Sequence, residues 1–303
     1  MSAQRNARIT RLAKASIAVG LCVLGLKGLA FVLTDSIAIL SDALETVVNV
    51  AAAVLALWAV RFAARPADSN HPHGHEKAEF LAAVIEGTLV LVAALLIARE
   101  AVTGLMDPQP ITADPAGLSV LALATMVNLV WARVLIREGR ALRSPALEAD
   151  GVHLRADVST SFAVFAGVGL TLATGLPWLD PAIALCFAVY VLWSGWSVAR
   201  ANLGGLMDET VDAGDLGEIE AIVTAHLGDA IEAHDLKVRP LGRGLAVEMH
   251  LVVPGDMTVA EAHDICDGIE EALKSAVHGG DVIIHLEPPE KAKDLDRVAF
   301  QTP

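Results

Sequence analysis

Long apolar runs separated by short polar stretches fill the first two thirds of the chain, and shorter alternating or amphipathic segments fill the last third. Six of the runs, at about residues 12–33, 36–62, 79–106, 113–136, 146–172 and 180–199, reach the roughly 20 residues that a helix needs to cross hydrocarbon. Several are longer, which predicts helices that tilt or continue past the bilayer. Pro108, Pro110, Pro177 and Pro181 mark turns between runs. From Asp208 the period shortens. AGDLGEIEAIVTAHLG reads as a helix opened by acids that suit its dipole, and AHDLKVRPLG and AVEMHLVVP alternate as strands. TVAEAHDICDGIEEALKSAVHGG reads as an amphipathic helix with Thr258 as cap, Glu261 at the capping-box position and Gly279 as stop. DVIIHLEP reads as a short buried strand, and KAKDLDRVAFQTP as a frayed tail. The expectation is a six-helix membrane domain over 1–207, a compact αββαβ unit over 208–290 and a flexible tail over 291–303.

Composition and charge sharpen this picture. The chain has 303 residues, 54% of them hydrophobic, and a mean hydropathy of +0.53, high for a soluble protein. All of the formal charge of −14 lies from Asp208 onward, where 21 acids face 7 bases, while the first 207 residues hold 15 of each. An acidic last domain argues against nucleic acid as a partner. Arg and Lys crowd the stretch before the first run, the stretch between the second and third, the one between the fourth and fifth, and the end of the sixth. The other three connections carry none, so the positive-inside rule predicts both termini in the cytoplasm. Lys27, near the outer end of the first run, is expected to snorkel. Cys22, Cys186 and Cys266 are too few and scattered for a disulfide framework or a cysteine-based zinc site. No cleavable signal peptide is evident.

Two polar clusters interrupt the apolar runs. His153 and Asp157 are four residues apart and share a helix face. Asp42, Glu45 and Asn49 form the second cluster, in LSDALETVVNVAAAVLALWAV. Such groups are costly in a bilayer unless they pair or bind something, and two facing helices of this kind can make a divalent-cation site. All ten histidines follow residue 70: three lie in DSNHPHGHEK and six in the acidic domain. Histidine beside a carboxylate suits divalent metals. No P-loop, dinucleotide fingerprint, nucleophile elbow or HExxH occurs.

Taken together, the six-run layout, HxxxD in the fifth run, PADxNHPxGHxKAE after the second and AHD…MHL…AHD…IIHLEP in the tail resemble the cation diffusion facilitator family, in its bacterial metal/proton exchanging form. The resemblance covers nearly the whole chain. It implies a ferredoxin-like, metallochaperone-like αββαβ domain and three metal sites. The transport site falls on Glu45, Asn49, His153 and Asp157. Where the family commonly has two charged or imidazole ligands in the second span, this chain has Glu45 and Asn49, one anion fewer, and Asp42 stands one turn earlier as a further carboxylate. The loop site falls on Asp68, His71 and His75, with His73 within reach. The cytoplasmic site falls on His234, His250, His263, His285 and Glu287. His226 and His278 match no ligand position and read as surface residues. Lys77 and Asp208 match an interlocking ion pair near the family's dimer interface.

The function so implied is efflux of a divalent metal, most readily Zn2+, with Fe2+, Mn2+, Co2+ or Cd2+ as alternatives, across the cytoplasmic (inner) membrane by proton antiport. The transporter would be a homodimer in the lipid bilayer, and not an enzyme. One rival is a membrane metal sensor signalling through the acidic domain, which leaves the intramembrane residues unexplained. A second is an intramembrane metalloprotease, for which the HExxH motif is missing.

Overall fold

In the computed structural model the described chain omits residues 1, 35–36, 109–114, 277–279, 294–297 and 301–303. It also omits the side chains at 2–3, 30, 33–34, 37–42, 44–45 and 298–300. It divides into two compact units, one of residues 3–203 and one of 204–303.

The first unit is six long helices: α1 (Ser2–Thr34), α2 (Ile37–Ala63), α3 (Ala78–Met106), α4 (Pro115–Ala141), α5 (Pro145–Thr174) and α6 (Leu179–Leu206). All six are long and apolar enough to cross a membrane. They are longer than the six runs because polar ends extend the same helices, as with the Arg-rich start of α1. Pro145 at N1 suits the start of α5, and Gly175 in the left-handed region at φ 72 ends it. Many large apolar side chains face outward, Trp193 at 66% and Leu95 at 59% exposure among them, as a lipid-facing surface requires. The interior of the bundle is lined by small residues such as Ala56, Ala59, Ala82, Ala132 and Ala146, which let helices approach closely. Along one seam α4 and α5 approach closely. A Cβ on Gly139 would stand 2.7 Å from Glu148 N, and one on Gly151 would stand 2.8 Å from Ile136 Cγ1. Lys27 does not snorkel: it is 2% exposed, inside the bundle.

The second unit runs α7 (Ala213–His226), β1 (Glu232–Pro240), β2 (Leu245–Val252), α8 (Val259–Ala276), β3 (Asp281–Glu287), a 3-10 turn (Pro289–Lys291) and β4 (Val298–Phe300). Asp212 caps α7 by accepting from Gly214 and Asp215 N–H. Glu261 completes the expected capping box on Thr258, whose backbone N–H donates to Oε2 at 2.8 Å. That donation is the main reason the Glu261 carboxyl titrates below its ordinary value.

The strand order is β3-β2-β1-β4, with β1 and β2 antiparallel and the outer pairs parallel. Ile219, Val223, Val247, Met249, Leu251, Ile269 and Leu273 form the core, with α7 and α8 on one sheet face.

Two further sequence expectations are corrected. DVIIHLEP is not a buried strand but an edge strand whose residues alternate between exposed and half-buried. Only Val282, Ile284 and Leu286 turn to the core. The apolar run that suggested burial reflects Ile283, which is 57% exposed. Residues 298–300, inside the expected tail, form β4 and pair with β1. Without them β1 would present an open row of backbone donors and acceptors.

Candidate metal centres

The first centre lies inside the helical bundle. Asn49 on α2 and His153 and Asp157 on α5 are 6%, 7% and 7% exposed. They line a cavity of about 20 Å³, room for one water-sized sphere, walled otherwise by Val90, Ala93 and Ile97 of α3, Ala156 and Thr160 of α5, and Val191 of α6. His153 Nε2 donates to Asn49 Oδ1 at 2.8 Å. With Nε2 carrying the hydrogen, a neutral ring leaves a bare lone pair on Nδ1, and Nδ1 is buried without a partner, as is the Asn49 amide nitrogen. A bare imidazole nitrogen, a carboxylate and an amide lining one cavity are donors of the kind that suit a divalent cation. Asp157 is held by a residue that the sequence patterns do not single out: Asn128 of α4 donates from Nδ2 to Asp157 Oδ2 at 2.8 Å. The one available signal was a lone amide in an apolar run. The side chains of Asp42 and Glu45 lie outside the described residues, so their part in this centre rests on the sequence.

The second centre is the loop between α2 and α3. Asp68 Oδ1 lies 3.2 Å from His71 Nδ1, and Oδ2 lies 3.3 Å from His75 Nε2. Together the three offer ligand atoms within 4.8 Å of one another. The loop is pre-shaped. The N–H groups of Asn70 and His71 donate to Asp68 Oδ1 at 2.9 and 2.8 Å, and Gly74 turns the chain at φ 83. The His71 backbone donor, foremost, holds the Asp68 carboxyl below its ordinary range. His75 is 5% exposed, with the Phe62 ring edge-on at 4.7 Å and Nδ1 unpartnered. His73 is exposed and outside this group.

The third centre is on the second unit, on the sheet face away from α7 and α8. Strand register brings His234, His250 and His285 side by side across β1, β2 and β3, with ring centroids 5.5 and 5.0 Å apart. Glu287 joins them: Oε2 is 3.1 Å from His234 Nε2 and Oε1 is 3.2 Å from His250 Nδ1. Glu287 Oε2 accepts no hydrogen bond despite its burial, an arrangement in which both groups suit a shared third partner.

A bulge between His234 and Lys237, with Asp235 at φ 53, breaks the strand alternation. It lets consecutive residues serve one site, so His234, Asp235 and His250 offer ligand atoms within 4.8 Å. Asp235 and Glu232, which accepts from His234 Nδ1 at 2.8 Å, are likewise absent from the sequence-derived set. Both flank a histidine that the sequence singled out, but only the bulge explains how two successive residues reach the same side. His263 is placed elsewhere: it is exposed on α8 with Nδ1 3.2 Å from Asp267. His226 is exposed, as expected, and His278 lies outside the described residues.

Lys77 precedes α3 in the first unit, and Asp208 belongs to the second, where its carboxylate meets Arg239 at 3.3 Å.

Six membrane helices with a buried carboxylate–imidazole–amide cluster, followed by an αβ domain bearing a histidine group, define a membrane cation-handling protein. Family models agree. "Cation efflux transmembrane domain" matches residues 13–207, and "cation efflux protein, cytoplasmic domain" matches 211–289. The chain is 41% identical over 289 residues to the uncharacterized transporter sll1263 of Synechocystis sp., covering 95% of this chain and 93% of that one. It is 30% identical over 283 residues to the cation-efflux pump FieF of Salmonella paratyphi A, covering 92% and 93%. A solved Zn form of CzrB is 41% identical over 28% of this chain and 98% of its own, with a TM-score of 0.27. The chain belongs to the cation diffusion facilitator family of cation-efflux transporters, and it is an integral membrane protein.

Proposed function

We propose that this protein is a homodimeric exporter that moves a divalent cation of the zinc class out of the cytoplasm, across the inner membrane, in exchange for protons, with both termini on the cytoplasmic side. The observation that carries the reading is the buried Asn49–His153–Asp157 cluster with its unpartnered His153 Nδ1 beside a cavity. Asp157 supplies charge, Asn49 a neutral oxygen, His153 a nitrogen, and Glu45 a second carboxylate. Such ligands bind metal only as neutral imidazole and ionised carboxylate, so loading displaces protons and protonation ejects the cation. Asn128 holds Asp157 in position through the exchange.

The mixed nitrogen and oxygen donors suit zinc and also accept iron or manganese. Asp68, His71 and His75 form an accessible cation site in the connection between α2 and α3. The His234–Asp235–His250 group with His285 and Glu287 is a regulatory site in the cytoplasmic domain, from which His263, exposed on α8, stands apart. Lys77 and Asp208 would lock the two subunits in register. No step breaks a covalent bond. A pure metal sensor would make use of the cytoplasmic group but leave the membrane cluster without a purpose.

The test is transport by purified protein in vesicles holding a metal-sensitive dye, with an imposed pH gradient. Wild type should load zinc and move protons the opposite way, and Asp157→Ala should fall to background while still inserting and dimerising. An Asp157→Ala protein that keeps more than about half of the wild-type flux would sink the assignment, because the loss of a charged ligand in a dry site costs several kcal/mol.

A further inference from the structure

Two buried acids of the membrane unit take no part in the cation cluster. Glu86 on α3 is 0% exposed, and neither of its carboxyl oxygens has a hydrogen-bond partner. Asp150 on α5 is 1% exposed, and the Ser16 hydroxyl of α1 donates to its Oδ2 at 2.6 Å. Among the described residues Asp150, across the α3–α5 contact, is near enough for its charge to repel one on Glu86. On the same helix Glu79, two turns earlier, is also buried, and the Ser144 hydroxyl donates to it. From α6, the Ala199 backbone packs at Gly87. Among the described residues of α2 the one charged side chain is Arg61, in its last turn. Asp150 stands one helical turn before His153 and two before Asp157 on the same face of α5, so the pair adjoins the cation cluster without being part of it.

Two ionised carboxylates cannot share a dry seam without a positive charge. A divalent cation would answer the charge, but it needs several oxygens and space around them. Glu86 is fully enclosed, and it does not line the cavity at Asn49, His153 and Asp157. A proton needs no space. It would also give Glu86, whose two oxygens have no hydrogen-bond partner, a hydroxyl of its own.

We propose that Glu86, paired with Asp150, is a second proton-carrying site, distinct from the cation ligands. The proton rides on the Glu86 carboxyl while the α1–α3–α5 seam is closed. It passes to water, leaving the carboxylate, when helix movement opens that seam. The inference rests on the proton-exchange reading above and adds a proton to it that no cation ligand carries.

The experiment is simultaneous measurement of zinc and proton flux by full-length protein in vesicles, comparing wild type, Glu86→Gln and Asp150→Asn. Glu86→Gln is a fixed mimic of the protonated acid. It should bind zinc with wild-type affinity by calorimetry, while the protons moved per zinc fall by about one and the response to the pH gradient flattens. An unchanged proton-to-zinc ratio in Glu86→Gln overturns the proposal. Should that variant fail to transport, infrared spectroscopy of the purified protein decides. The wild type should show a carboxylic-acid C=O band at neutral pH that Glu86→Gln loses and Asp157→Asn keeps. No such band, or a band that survives Glu86→Gln, overturns the proposal. Wild-type zinc flux without proton movement would sink the exchange reading instead, and the infrared band would still judge the pair by itself.

Discussion

Asn49 is where this chain departs from the familiar ligand pattern, and its amide oxygen is engaged by His153 Nε2 at 2.8 Å. The cluster therefore satisfies part of itself through Nε2, while His153 Nδ1 keeps its lone pair for a cation. Asn49→Asp replaces a neutral oxygen by an anion. Zinc should then bind more tightly and leave more slowly, and competition transport among zinc, iron and manganese should change its ranking. An unchanged ranking at normal expression would remove Asn49 from the ligand set. Asn128→Leu tests the residue behind Asp157. A partner that orients a ligand typically contributes about 10- to 100-fold in metal affinity, so calorimetric zinc affinity should weaken by that order while the fold persists. His153 and Asp157 were legible in the sequence because charge at helical spacing in an apolar run has few structural uses. Asn128 was not, because a single amide in a span has many possible partners and only packing selects one.

At the scale of elements, the membrane helices were legible almost in full, because hydrocarbon imposes both length and composition on a span. The way the helices pack was not, since it depends on where small residues meet. Gly151 has Ile136 Cγ1 within 2.8 Å of the place a Cβ would take. Gly151→Val should force α4 from α5 and destabilise the protein by about 1–3 kcal/mol, seen as a lower melting temperature in detergent. The capping box of α8 was legible as Thr258 and Glu261, and it sets a pH dependence. The carboxyl of Glu261 is held below its ordinary value, chiefly by Thr258 N–H. Its stabilisation is thus present above the unfolded value and lost as pH falls through the lowered folded one. In melting curves of the fragment 208–303, Glu261→Ala should melt below wild type at pH 7, and the gap should close below about pH 4. A gap that persists there would mean that the cap is not electrostatic. The position of β3 at the sheet edge was not legible, because an apolar run does not distinguish a central strand from an edge covered on one side. The bulge at Asp235, with φ 53, had no sequence signature at all.

The whole molecule separates its charge: the membrane part is balanced and the cytoplasmic part carries the entire −14. In the proposed homodimer two such domains would repel one another, and cations held by His234, Asp235, His250, His285 and Glu287 would offset part of that repulsion. A ligand that binds only the folded state at about a hundredfold over its Kd adds about 2.7 kcal/mol, on the order of 10 °C for a domain of this size. The fragment 208–303 should therefore melt higher with zinc at pH 7. The gain should vanish in His250→Ala with His285→Ala, and shrink near about pH 5, where imidazoles generally take up protons instead of metal. A wild-type melting temperature that zinc does not move would end the regulatory reading.

The short β4 has a practical bearing. Pairing at Ala233↔Val298 and Leu236↔Phe300 covers the outer edge of β1, and Lys293, on the way to it, reaches Asp235 at 2.6 Å. A chain trimmed after Glu290, on the view that the remainder is dispensable, would lose both. It would leave an unsheathed strand next to the histidine group, and so invite sheet-to-sheet adhesion between molecules. Handling of the purified protein, including the choice of which end bears an affinity tag, should treat residues 298–300 as part of the sheet.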